Sequence, residues 1–368
     1  MTATLQTGTG EAKATTKVYP GRAAVISWIF FDWAAQPYFT LITTFVFAPY
    51  FASFVASDAA SGQALWGFAT AAAGLAIALL SPLLGAIADA SGRRKPWIAV
   101  FGALLVIGAS AMWIGKPGNP DIIPMLLLAY AIASVGVEFA TVFNNAMMPT
   151  LVPPDRIGRL SGTGWATGYV GGILSLVLVL GFLAANAETG KTLFGFTPLF
   201  GLDPVMHEGD RITGPLTGLW FIIFVTPMFL FTPDYPAKRP IREALGEGLR
   251  DLRESLRSLP KQTSLAWFLL ANMIYTDGLV SLFAFGGIYA AGTFGWDTIR
   301  IGTFGIILAI AGTFGGWIGG KLDDAFGIGW RRGRHPRRLS EELRLPMCGT
   351  EFRCFGNRFS TTCFTPDR

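Results

Sequence analysis

G-A-I-A-D-A-S-G-R-R-K occupies residues 85–95, between the apolar runs 65–84 and 96–114. Each flanking run is about as long as a membrane helix, which takes roughly 20 apolar residues. Gly85 and Gly92 permit a tight turn and a close approach of backbones. Asp89 suits a helix start or a positive partner, and Arg93, Arg94 and Lys95 suit the cytoplasmic face of a bilayer. The stretch reads as a short loop joining two membrane helices.

The rest of the chain agrees. Of 368 residues, 51% are hydrophobic and 14% charged, whereas soluble domains carry roughly 25% charged residues. Mean hydropathy is positive. Apolar stretches of spanning length occur at 23–55, 65–84, 96–114, 122–143, 162–185, 215–232, 264–291 and 301–322. These predict an all-α polytopic membrane protein of eight spans. The first stretch is too long for a signal-peptide core and has no small-residue cleavage site. It is expected to remain as a span, behind a cytoplasmic tail of residues 1–22.

Cations fall on alternate sides. With the N-terminus inside, the inner segments hold Lys13, Lys17 and Arg22; Arg93, Arg94 and Lys95; Arg156 and Arg159; and Lys238, Arg239, Arg242, Arg250, Arg253, Arg257 and Lys261. The outer segments hold Lys116, Lys191, Arg211 and Arg300. The positive-inside rule places the N-terminus in the cytoplasm. Residues 23–232 form a six-helix first half, 233–263 a cytoplasmic linker, and 264–327 a partial second half of two helices, a two-half transporter layout. In the linker, Ile241, Leu245, Leu249, Leu252, Leu256 and Leu259 make one apolar stripe, opposite Arg242, Glu243, Glu247, Arg250, Arg253, Glu254 and Arg257. This is an amphipathic surface helix, read either as a spacer or as a gating element.

The spacing G-x-x-x-D-x-x-G-R-R-K, between the second and third spans, resembles the loop signature of the major facilitator superfamily. F-D-W-A-A-Q-P-Y-F at 31–39 and F-N-N-A-M-M-P-T-L-V-P-P-D-R-I-G-R-L-S-G-T-G-W-A-T-G-Y-V-G-G at 143–172 resemble its vacuole-effluxer branch, whose fungal members export amino acids. The resemblance covers about 27–327. It implies a major-facilitator-type helical bundle in a bacterial plasma membrane, moving a small organic solute outward by alternating access, with protons as a candidate coupling ion. It does not name the solute. Sugar or drug transport, or a non-transporting scaffold, stays open.

Ionisable groups within spans cost about 2.5–3.5 kcal/mol at a helix centre. Asp32, Glu138 and Asp277 lie in the first, fourth and seventh spans, the helices that line the cavity in the superfamily. Asp32 and Asp277 sit at comparable depths, as an internal repeat requires. Each is a candidate for binding a proton or a cationic solute group; interhelical pairing is the other reading. Gln36, Tyr38, Asn144, Asn145, Asn272 and Tyr275 are the neutral candidates around them, with interhelical hydrogen bonding as their alternative.

Gly164, Gly168, Gly171 and Gly172 on the fifth span, and Gly312, Gly315, Gly316, Gly319 and Gly320 on the eighth, invite close helix packing. Residues 315–321 formally read G-x-x-x-x-G-K, but Leu322 replaces the Ser or Thr of a phosphate loop and no strand precedes it. With His207 and His335 the only histidines and no Cys before 348, the spans lack the material of a metal or histidine-assisted active site. No enzyme, cofactor, metal or nucleic-acid partner is expected.

Character changes after Gly327. Residues 328–368 hold nine Arg, no Lys and all three Cys, Cys348, Cys354 and Cys363, without an apolar run able to span. Either this basic segment binds anionic lipid, or it is out of frame and replaces further spans; Arg without Lys, sudden Cys use and absent periodicity favour the second. The second half echoes the opening loop in Gly320-x-x-x-Asp324-x-x-Gly327. In the superfamily the loop aspartate locks the cytoplasmic side against a late helix; a truncated chain would leave Asp89 without that partner and could be inactive. Reading the gene's other frames past codon 327 is expected to reveal an apolar continuation, and its absence from both frames would overturn the frame change.

Overall fold

The computed structural model describes residues 19–90, 93–235 and 257–331, with 246, 250, 253 and 254 between them. Among these residues, eight helices are long and apolar enough to cross a membrane. They are α1 (Arg22–Val55), α2 (Ala59–Ala90), α3 (Lys95–Ile114), α4 (Pro120–Leu151), α5 (Pro154–Leu183), α6 (Glu208–Phe231), α7 (Thr263–Phe294) and α8 (Thr298–Arg331). The β pairing among the described residues is a bridge between Ala185 and Thr192.

Number and order of the spans match the apolar stretches, while several ends differ. Apolar runs mark the lipid-facing part of a helix, and the helices continue into polar first turns. Thus α5 starts at Pro154, where a missing N–H costs nothing. The α6 unit starts at Glu208, with Glu208 and Asp210 at the positive end of the helix. Asp58 caps α2: the Ser61 N–H donates to Oδ1 at 2.9 Å and the Ser61 hydroxyl to Oδ2 at 2.7 Å. These bonds, the N–H foremost, hold its exposed carboxyl below the usual carboxylate range.

The expected loop at residues 85–95 is largely helix. Gly85 is buried inside α2, which runs on through Asp89 to Ala90, since A-I-A-D-A is a good helix-forming run. Gly92, and the side chain of Asp89, lie outside the described residues. The second-half echo is not a loop either: Gly320, Asp324 and Gly327 fall within α8. The side chain of Asp324 lies outside the described residues, as does the segment 332–368. In the linker, Arg250 pairs with Glu254 at 3.5 Å on an exposed face. Ile241, Leu245, Leu249, Leu252 and Leu256 lie outside the described residues, and Leu259 is half-buried.

One core gathers Trp28, Phe31 and Phe47 of α1, Trp66 of α2, Phe101 and Leu105 of α3, Phe139 and Phe143 of α4, and Phe221 of α6. A second joins Leu41 and Phe45 of α1 to Leu176, Leu180 and Leu183 of α5, with Ala290 of α7 and Ile301 of α8. The outward faces carry Phe68, Leu79, Ile107, Leu128 and Leu230 exposed, as lipid contact requires.

Helix α8 packs along α5 through glycine on both sides. A methyl group at Gly162 would lie 2.6 Å from the Gly316 carbonyl oxygen and 2.7 Å from Gly320 Cα, and one at Gly320 would lie 2.8 Å from the Gly158 carbonyl oxygen. Backbone cannot yield as a side chain does. Gly162→Val should therefore cost about 1–3 kcal/mol, the usual penalty for overpacking, read as a lower melting midpoint in detergent. Gly315→Ala, where nothing lies within 4 Å, should leave the midpoint unchanged or slightly raised.

Candidate functional site

Pro37 lies inside α1, and the chain continues from it as π-helix over Tyr38–Phe45. A proline lacks the N–H of the regular ladder, and such π segments change which residues share a face. Asp32 and Gln36 before the proline and Thr40 after it follow one another at four-residue intervals on α1. Gly164, Gly168 and Gly172 do the same on α5, and the two strips are in register. A methyl group at Gly164 would collide with Asp32 Oδ2, one at Gly168 would lie 3.3 Å from the Asp32 carbonyl oxygen, and one at Gly172 would lie 2.6 Å from Thr40 Oγ1 and 3.0 Å from Gln36 Cγ. The half-buried Asp32 carboxylate thus fills space left by missing side chains. It accepts no hydrogen bond and joins no ion pair among the described residues.

The other candidates separate into two groups. Tyr38, past the proline, turns to α4: its hydroxyl shares a 2.6 Å hydrogen bond with Ser134. Ser134 in turn donates to the Tyr130 carbonyl at 2.9 Å, and the Tyr130 hydroxyl meets Thr70 of α2 at 3.1 Å. Glu138 is half-buried one turn beyond Ser134, within electrostatic reach of Tyr38 and Tyr130. Asn144 is buried, its carbonyl accepting from Trp28 Nε1 at 2.8 Å, and its side-chain amide has no hydrogen-bond partner among the described residues. Asn145 beside it is half-buried.

Asn272, Tyr275 and Asp277 stand apart on α7. Asn272 is half-buried and the other two exposed, on a stretch, Thr263–Phe283, none of which is buried. The matched depth expected for Asp32 and Asp277 does not bring them together. α8, the span that follows, packs against α5 rather than covering this face of α7. Tyr275 nevertheless lies within electrostatic reach of Tyr169 on α5, whose ring backs onto Gly312 of α8. Tyr169, which sequence reasoning missed, thus packs α5 against α8 one residue after Gly168. An apolar groove of about 360 Å3 also lies between α5 and α8. Its Thr163 and Thr313 hydroxyls donate back into their own helices, so Thr167 is its remaining hydroxyl. Lys321, in the false phosphate-loop pattern, sits 3.3 Å over the Trp317 ring. Among the described residues no group of His, Cys, Asp and Glu is placed to hold a metal.

The two ends of the bundle differ. At one end the second core closes α1, α5, α7 and α8 together, and Asn186 Nδ2 donates to Asp297 Oδ2 at 3.0 Å across the α5–α6 and α7–α8 connections. At the end bearing Arg93–Lys95, Asp234, just past α6, accepts from the backbone N–H groups of Arg94 at 2.8 Å and Lys95 at 3.3 Å. Lys95 Nζ donates to the Phe229 carbonyl at 2.8 Å. Each charge meets the helix end of opposite sign. Sequence reasoning missed Asp234; its signal was an α3 start with no N-cap side chain of its own.

Among the described residues, eight helices of spanning length, with a carboxylate in the first that meets no donor and glycine-lined contacts on the fifth, define a multi-pass membrane protein. The chain belongs to the vacuole effluxer Atg22 like family, whose model matches residues 61–331. This bears out the resemblance drawn from residues 31–39 and 143–172, the first of which lies ahead of the matched segment. The chain is 26% identical over 271 residues to an uncharacterized MFS-type transporter, YxiO, of Bacillus subtilis (strain 168). That alignment covers 72% of this chain and 59% of the relative, so the chain spans about three fifths of the relative's length. Two solved structures are similar: a D-xylose-proton symporter, at 14% identity and a TM-score of 0.48 over 84% of this chain and 68% of that one, and the xylose transporter XylE of E. coli in a partially occluded inward-open conformation, at 17% and 0.39 over 83% and 70%.

Removing the Asp234 cap should be measurable. Asp234→Ala leaves the Arg94 and Lys95 N–H groups without their acceptor, at about 1 kcal/mol, read as a lower melting midpoint; Asp234→Asn keeps an acceptor oxygen and should recover most of it. A wild-type midpoint for Asp234→Ala would show that the contact contributes nothing.

Proposed function

We propose that the chain is a secondary carrier exporting a small organic solute with a cationic group, such as an amino acid. Asp32 is its proton- or cation-binding carboxylate. The observation that carries this reading is the Asp32 side chain itself: a carboxylate inside a span, set against Gly164 and Gly168, with no donor or cation among the described residues. Such a group is costly in a membrane unless it is protonated or paired, and a coupling ion or a bound ammonium group would meet that need in turn. Membership of a family described as effluxers supports the direction. Gln36 and Thr40 on the same strip are the neutral groups that would hold the rest of the solute. The Tyr38 hydroxyl is engaged with Ser134 of α4, whereas the buried Asn144 amide has no partner among the described residues. The distribution of Lys and Arg supports a cytoplasmic N-terminus. The reading assigns no chemical conversion to the chain.

In sealed liposomes, counterflow with a panel of amino acids and sugars should favour an amino acid, and an imposed pH gradient should accelerate its flux. Asp32→Asn should abolish that gradient dependence while the protein melts as wild type. Unchanged gradient dependence in the Asp32→Asn chain would remove Asp32 from the coupling step; flux of sugars alone would replace the solute class.

A further inference from the structure

The connection between α5 and α6 carries L-F-G-F-T-P-L-F-G-L-D-P-V-M at residues 193–206, in which Asp203 is the one ionisable group. Water-facing loops of this length seldom hold so much exposed apolar surface. Phe194 is 50% exposed, Phe196 55%, Val205 72% and Phe200 91%. Phe200 also has a φ of 62°, uncommon for a bulky residue, and it sits at the tip of the turn Leu199–Gly201.

The placement of these side chains says what they meet. The Leu193 N–H donates to the Leu180 carbonyl at 2.8 Å, and the Phe194 ring lies against Gly181, where a methyl group would come within 2.5 Å of it. Phe182 packs edge-on to Phe194 at 5.4 Å and stacks on Phe196 at 6.1 Å. Gly181 and Phe182 belong to the last turn of α5, and Phe182 is itself exposed on that span. The loop aromatics therefore continue the lipid-facing surface of α5 at the depth where the span ends. The scaffold behind them is ordered by the Ala185–Thr192 bridge, by the Thr192 N–H donating to the Phe196 carbonyl at 2.9 Å, and by the Asn186–Asp297 bond. The exposed Glu188 and Lys191 occupy the other part of the same connection.

We infer that Phe194, Phe196, Leu199, Phe200 and Val205 form an edge that docks into the phospholipid interface around the end of α5, with Phe200 inserted deepest. Aromatic side chains favour that zone because their rings are apolar and tolerate its mixed polarity. Continuity with the exposed face of Phe182 favours lipid over a second protein surface. The test uses the full chain, with Cys348, Cys354 and Cys363 replaced by Ser, in phospholipid liposomes. A nitroxide attached at Phe200→Cys or Val205→Cys should collide more often with dissolved oxygen than with a water-soluble nickel chelate; one at Glu188→Cys should show the reverse. Both sites are exposed, so labelling leaves the core intact. Dominant collision with the chelate at Phe200 and Val205 would overturn the inference. So would shielding from both reagents, which would mean that a second copy or another protein covers the edge.

Discussion

Backbone meets backbone where α8 lies on α5, and the join between the first spans and the last depends on that contact. In lipid, burying an apolar side chain between helices gains little, because the acyl chains it leaves are equally apolar; association depends on close packing. Gly162 lets α8 come down onto α5 until its carbonyls and Cα atoms touch, while on another face Gly164, Gly168 and Gly172 make room for the Asp32, Gln36 and Thr40 side chains of α1. One helix thereby holds the first group of spans to the last, through backbone on one face and short polar side chains on the other. The strip that admits α1 also makes the recess in which the Asp32 carboxylate sits, so the polar site and the packing share the same residues.

Elsewhere in the spans polar hydrogens are spent on main-chain carbonyls across helices. Trp28 donates to Asn144, Trp220 to Trp33 at 3.1 Å, and the Tyr50 hydroxyl to Gly115 at 2.6 Å. Arg211, buried at the start of α6, gives two hydrogen bonds to the Trp113 carbonyl and lies 4.5 Å from that residue's ring. Interhelical bonds of this sort average about 0.6 kcal/mol in membranes. Their number matters less than their direction: these donors go to carbonyls, while the buried Trp33 and Trp66 indole N–H groups have no acceptor among the described residues, and Asp32 is an acceptor to which none of them is directed.

Length and hydropathy made the spans legible, because a bilayer of set thickness demands a minimum run of apolar residues. Asp32 was legible for the same reason, as a charge where charges are expensive. The glycines announced close packing, but not that α5 would present one strip to α1 and another to α8; that needs the rotation of each helix. Tyr38 illustrates the limit. It lies six residues after Asp32, about 240° further round a regular helix, so the period takes it off the Asp32 face; that Ser134 of α4 meets it there depends on how the helices pack. Asp277 was placed by analogy between halves, whereas its surroundings depend on which spans pack against α7. Asp234, in T-P-D-Y-P, carries no local pattern that marks it, because the N–H groups it caps belong to the start of α3, 140 residues away in sequence.

Helix α7 is held at one end. Its contacts lie near its C-terminus, where Phe285 meets Gly67, Gly287 sits against the Thr44 carbonyl and Ile288 is buried. At about 1.5 Å per residue, Thr263 is roughly 36 Å from that seat. Such a rod is a lever: a tilt of about 5° at Gly287 would move its far end by about 3 Å, close to the width of a water molecule. A sub-ångström adjustment where α7 meets α1 is thus magnified at the opposite face of the bundle, without any bend in the helix itself.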